Sequence, residues 1–323
     1  MVVKDAVHKL IEEQPAEWEL AAANYNALAR VKTKTFDVGG WRYNVQFNPA
    51  RITSSAAKVD PESIQERKCF LCPANLPREQ RSIPFKGGYS ILVNPFPIFP
   101  RHLTIPDIQH VDQRILPRMG DMLDLAEALD DFIIFYNGPK CGASAPDHVH
   151  FQAGNKGFLP IEKEWKYRKA GRVADYKRAS LSFLDDAPRA TLVIEAESKD
   201  DASALFKTVY DSMDQDGDEP MMNLLAWYED GKWVVCIFPR ERHRPSYFSS
   251  PGDGNILVSP ASVDMGGVFI TPLEKDFNKI TAKDIHGILS EVCISSEKFH
   301  RLRQQIKKRI TATATRQCNL NLI

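Results

Sequence analysis

The chain has 323 residues, 43% hydrophobic and 26% charged, the make-up of a globular protein with room for two modest domains or one with a duplicated core. Forty-two Lys and Arg balance forty-two Asp and Glu, which argues against a nucleic-acid partner but leaves room for a small phosphorylated ligand. No apolar run approaches the roughly 20 residues that span a bilayer, and Met1–Pro15 lacks a signal peptide's apolar region, so a cytoplasmic protein with no membrane partner is expected.

In chain order, residues 6–30 have helical apolar spacing interrupted at Pro15. Residues 35–38 and 41–47 read as a hairpin across Gly39-Gly40, ended by Asn48-Pro49-Ala50-Arg51. Residues 69–84 are loop-like and rich in Pro. Two short strands follow, 89–93 and 102–105, each closed by a Pro-containing turn. Helical spacing covers 111–129, disturbed at Pro117. The continuous apolar run 132–136 is a buried strand, and a Gly-containing loop, 137–146, leads into a strand at 148–153. Strand, strand, helix, strand, strand predicts an α+β fold: an antiparallel meander with a packed helix.

A second half echoes the first. Residues 190–194 read as a strand, 201–213 as a helix, and 223–228 with 233–238 as a hairpin. Short strands are expected at 256–258 and 267–270, a long helical region at 281–310, and little order in the tail 311–323. The boundary falls near 185–188, giving a catalytic unit 1–185 and a second half 186–323.

The most informative segment is Asp147-His148-Val149-His150-Phe151-Gln152. On a strand, His148, His150 and Gln152 would share one face. Upstream, Gly138-Pro139-Lys140-Cys141-Gly142-Ala143-Ser144 allows close backbone approach and amides that cradle phosphate oxygens. A neutral imidazole with one nitrogen held by an acceptor and the other free can attack phosphorus.

The run Asn137 to Gln152 resembles the signature of the histidine-triad superfamily, closest to its transferase branch, which includes galactose-1-phosphate uridylyltransferase and diadenosine tetraphosphate phosphorylase. That branch has His-x-His-x-Gln, where the hydrolase branch usually has a third histidine. The resemblance implies that His150 becomes nucleotidylated and that the His148 carbonyl holds its other nitrogen. It implies that Gln152, Ser144 and Asn137 contact phosphate or its transferred partner, with Gly142 in the same loop. Asp147 departs from the uridylyltransferase pattern, which has Pro there.

Cys69-Phe70-Leu71-Cys72 has the spacing of half a zinc site, and Pro73 and Pro77 speak against a redox helix. The other four cysteines are scattered, as reduced thiols would be. The resemblance implies two histidine ligands, His148 and one after the second meander strand, with His110 preferred and His102 the rival. Such a zinc would be structural, pinning His148 and through it His150. The segments Val93-Asn94-Pro95-Phe96-Pro97 and Asn48-Pro49-Ala50-Arg51 also resemble elements of that superfamily, which implies Asn94 as a ribose ligand and Arg51 as a phosphate ligand. The basic cluster 239–245 could meet the phosphate end of a second substrate, and Gly266-Gly267 suggests close backbone approach.

The expected function is transfer of a nucleoside monophosphate from a nucleotide sugar or dinucleoside polyphosphate to phosphate or a sugar phosphate. Hydrolysis and silent nucleotide binding are the alternatives, and a homodimer is expected by analogy alone.

Overall fold

The computed structural model describes residues 3–55, 59–184, 188–215, 217 and 219–320. Strands β1 (Lys32–Val38) and β2 (Trp41–Phe47) form the expected hairpin, turning at Gly39 and Gly40, both at positive φ. Two successive left-handed positions match strand twist, and glycine takes them without a Cβ penalty.

Among the described residues, ten strands form one sheet. They are β3 (Ser82–Phe85), β4 (Tyr89–Val93), β5 (His102–Pro106), β6 (Phe132–Asn137), β7 (His150–Asn155), β8 (Lys169–Tyr176), β9 (Ala179–Leu184), β10 (Leu192–Ala196), β11 (Met222–Glu229) and β12 (Lys232–Pro239). Their order is β3-β4-β5-β7-β6-β11-β12-β10-β9-β8. From one edge the pattern is β3-β4-β5-β7-β6, and from the other it is β8-β9-β10-β12-β11. The helix Met119–Ala128 lies between β5 and β6, and the helix Lys199–Tyr210 between β10 and β11. The same unit therefore occurs twice, joined through antiparallel pairing of β6 with β11 from Asn223↔Asn137 to Ala226↔Ile134. The fold is α+β with two related halves, as expected.

The β6 run is apolar throughout because both its faces are covered. Phe132, Ile134 and Tyr136 join one core with Leu123 and Phe206 of the two helices. Ile133 and Phe135 join the other with Trp41, Tyr43 and Phe269. That second core lies under a small sheet, in which β13 (Val268–Thr271) runs parallel to β2. The chain's late segment thus returns to its N-terminal hairpin.

Several expectations shift. The helix expected at 111–129 covers only Met119–Ala128, after a 3₁₀ turn at Leu116–Arg118. Its first residues are drawn off by tertiary bonds: the Val111 carbonyl accepts from Val149 N–H, and Gln113 N–H donates to the Pro146 carbonyl. The strand expected at 148–153 begins at His150, so His148 lies ahead of it and does not share its alternation. No strand forms at 256–258, where Leu257 N–H is taken by the Asp276 carboxylate instead of a neighbouring strand. The helical region after 281 breaks into Ala282–Val292 and Ser296–Leu320, and the latter extends into the tail. Residues 185–187 of the expected boundary, and 321–323, lie outside the described residues. β9, just before that boundary, pairs with β10 beyond it, and β8 pairs with β9. Among the described residues, no helix is long and apolar enough to cross a membrane.

Candidate active site

In the second half, β11 and β12 are joined by the tight turn Asp230-Gly231. In the first half, the matching connection from β6 to β7 runs through residues 138–149. The strand ends therefore separate, and β6–β7 pairing stops at Phe135↔Gln152. Gln113, fully buried, bridges the gap. Its Nε2 donates to the carbonyls of Asn137 (2.9 Å) and His150 (3.2 Å), and its Oε1 accepts from His150 N–H at 2.8 Å. The backbone of His150 is thus fixed from both sides.

The His150 ring is oriented by one bond. Nδ1 lies 2.8 Å from the His148 carbonyl. A carbonyl only accepts, so Nδ1 carries the proton and Nε2 keeps its lone pair. Burial of the ring pushes its pKa down to about 4, so the ring is neutral near pH 7. An oriented neutral imidazole with a bare nitrogen is a competent nucleophile.

His148 turns the other way. Its Nε2 donates to the Asp107 carbonyl at 2.8 Å, leaving Nδ1 bare. That atom is 3.3 Å from Cys69 Sγ and 3.6 Å from Cys72 Sγ, and His110 Nδ1 is 3.2 Å from Cys72 Sγ. All four ligand atoms lie within 4.8 Å of one another. Tetrahedral zinc would space sulfur and nitrogen about 3.6 Å apart, so the cluster fits the ion. Burial disfavours the Cys69 thiolate, whereas the Leu71 and Cys72 amides donate to its sulfur and favour the thiolate form that a metal would bind. The outward nitrogen of His110 faces Asp147 at 3.6 Å. His102 is elsewhere, so His110 rather than its rival completes the cluster.

Beside His150 opens a cavity of about 600 Å³. Arg51, Asn94, Asn137, Gly142, Ser144, His150 and Gln152 all line it, although they span a hundred positions of sequence. Arg51 is held by the Phe96 carbonyl at 2.7 Å, and burial lowers its pKa to about 10. Asn94 is partly committed: its Oδ1 accepts from Phe96 N–H and its Nδ2 donates to Thr104. Gly142 has φ +92°, and a Cβ there would sit 2.7 Å from the Ala261 Cβ, so the glycine lets the loop press against the second half.

Residues 10–155 match a family model described as a domain of unknown function (DUF4922), and residues 166–313 match the model "GDPGP1-like, C-terminal domain". No curated protein sequence matches the chain. Among solved structures, yeast Ap4A phosphorylase Apa2 superposes with a TM-score of 0.58 at 18% identity, covering 88% of this chain and 97% of that one. The same enzyme in complex with Ap4A gives a TM-score of 0.59 over the same shares. The chain shares the fold of that phosphorylase.

The second half, whose β12 carries no histidine, still reaches the site. Ser259, Ala261, Val263, Asp264 and Ile270 line the same cavity, and none was singled out from sequence. Asp264 is buried, and its carboxyl is pushed up to about 7. Asn137 Oδ1 accepts from Asn223 Nδ2 (3.0 Å), Ser262 N–H (2.8 Å) and Ser262 Oγ (2.6 Å). Arg240 donates to Asn223 Oδ1 and to the Pro260 carbonyl. Its remaining donors reach the carbonyls of Val292, Arg242 and His243. Arg240 is therefore buried and engaged, rather than facing a second substrate as expected for the basic cluster. A Cβ on Gly267 would lie 3.1 Å from the Arg42 carbonyl, the close approach its sequence suggested.

Proposed function

We propose that the protein is a nucleotidyltransferase that moves a nucleoside monophosphate through a covalent His150 intermediate. The observation that carries the reading is the bare Nε2 of a neutral, oriented imidazole at the wall of a nucleotide-sized cavity. Nε2 attacks the α-phosphorus of a nucleotide sugar or dinucleoside polyphosphate. The P–O bond to the rest of the donor breaks, and the leaving oxygen takes the electron pair. The nucleotidyl imidazolium keeps its Nδ1 proton against the His148 carbonyl. Inorganic phosphate or a sugar phosphate then attacks phosphorus from the in-line direction, the P–N bond breaks and neutral His150 returns. Asn137, Gln152, Ser144 and the Gly142 loop would hold the phosphoryl oxygens, Asn94 the ribose and Arg51 a further phosphate oxygen. Gln152, at the position where the hydrolase branch has histidine, favours transfer over hydrolysis.

Zinc held by Cys69, Cys72, His110 and His148 would be structural. All four positions are protein ligands, so the metal would keep the His148 carbonyl in place without taking part in transfer. Intact-protein mass spectrometry after incubation with nucleotide donors tests the reading. One donor should add a nucleoside monophosphate mass to the wild type and none to His150→Ala. Turnover retained in His150→Ala would refute it.

A further inference from the structure

His102, at the start of β5, belongs neither to the metal cluster nor to the cavity wall, yet it is fully buried. Its Nδ1 accepts a hydrogen bond from Ile98 N–H at 3.1 Å. A backbone amide only donates, so Nδ1 is bare and a neutral ring must carry its proton on Nε2. Nε2 lies 3.2 Å from the side-chain oxygen of Gln152. The chain of contacts has a fixed direction: amide to imidazole, imidazole to amide oxygen. The Gln152 oxygen is thereby occupied, and its NH₂ is the end left for the cavity that Gln152 lines.

The ring is built in tightly. Phe99 meets it edge-on with centroids 5.4 Å apart, and Phe135 lies 5.8 Å away. Opposite His102 in the β5–β7 ladder stands Gly154. A Cβ there would come within 2.3 Å of the Phe99 ring, so the missing side chain makes room for the stack. Burial and the nearby Arg51 charge both disfavour the imidazolium, and the pKa falls to about 3. His102 thus remains a one-donor, one-acceptor group across the working pH range.

We infer that His102 is a positioning residue that fixes the polarity of the Gln152 amide, making Gln152 a dedicated donor to a phosphoryl oxygen at His150. This rests on the transferase reading. An amide free to flip would present its oxygen to a phosphate part of the time, where like partial charges repel. One already locked has no reorganisation left to do when charge shifts onto the phosphoryl oxygens.

Two measurements on the full chain test the inference. Imidazole ¹⁵N NMR should show His102 as the Nε2–H tautomer, unchanged from pH 5 to pH 9; an Nδ1–H tautomer or a protonated ring would overturn it. The second is the single-turnover rate of His150 labelling, with the donor that labels the wild type. His102→Leu should slow labelling about tenfold to a hundredfold, and His102→Gln, which can place an amide N–H near the lost Nε2–H, should recover part of the rate. Gln152→Ala should slow it comparably, and the double variant His102→Leu/Gln152→Ala should be no slower than Gln152→Ala alone. Losses that multiply would show a packing role only and would sink the inference. If no donor labels the wild type, the transferase reading has failed. The same cycle read as the Kd for a nucleoside monophosphate then decides whether His102 acts through Gln152.

Discussion

Glu219 lies behind the site rather than in it. Its carboxylate accepts from the Tyr136 hydroxyl at 2.7 Å and from Ile115 N–H at 2.6 Å, and burial pushes its pKa up to about 7. The ordinary value is 4.5. Between those two pH values the folded protein holds a proton that the unfolded chain has released. Stability therefore falls as pH rises through this window, by about 3 kcal/mol in all. Urea midpoints measured from pH 4.5 to 7 should decline in the wild type and stay flatter in Glu219→Gln. Glu219 carried no recognisable pattern in the sequence, because its character comes wholly from what covers it. His150 was legible for the opposite reason: the local run around it already contains its orienting carbonyl. His102 was read as a metal rival, since nothing local shows that its ring meets Gln152 and a backbone amide.

At the level of elements, the metal cluster joins three connections: the loop at Cys69–Cys72, the stretch after β5 at His110, and the approach to β7 at His148. None is held by sheet pairing at those points, so the ion would supply the cross-link that strands supply elsewhere. Elemental analysis should find about one zinc per chain. Chelation or Cys69→Ser should remove it and speed amide exchange at Val149 and His150, leaving β6 and β11 protected. Metal-free protein with unchanged exchange and full activity would contradict this. The strands with continuous apolar runs were legible, because their pattern reports double-sided burial. The β8–β9 hairpin was not. β8 is an edge strand with half its residues exposed, a single buried one and two register irregularities. Such edges are kept polar and irregular, which erases the alternation a reader looks for. β13 was legible as a strand, but its parallel partner β2 is more than two hundred residues away.

Across the whole molecule, the duplicated unit divides its labour. One copy lengthened the connection ahead of its last strand and carries the imidazole; the other kept a tight turn and braces the first. Arg240 shows how firmly. Its guanidinium is buried and donates to Asn223 and four backbone carbonyls. Arg240→Leu should cost about 3 kcal/mol, read as a lowered urea midpoint, because several buried acceptors lose their donors. It should also slow His150 labelling, since Asn223 would lose the partner that sets its own amide. Labelling at the wild-type rate in a destabilised variant would show that the brace is structural alone. The two-half plan was legible in the repeated order of elements. The brace was not, because Asn223, Arg240 and Ser262 converge only through folding.

Asn137 holds a further consequence. Its oxygen is bonded to Asn223 and Ser262, while its residue lines the cavity. Whatever ligand grips the amide from the cavity side also tightens the seam between the halves. Ligand affinity and the cohesion of the two halves are then a single linked equilibrium. Saturating ligand raises the free energy of pulling the halves apart, and any loosening of that seam is felt as weaker binding.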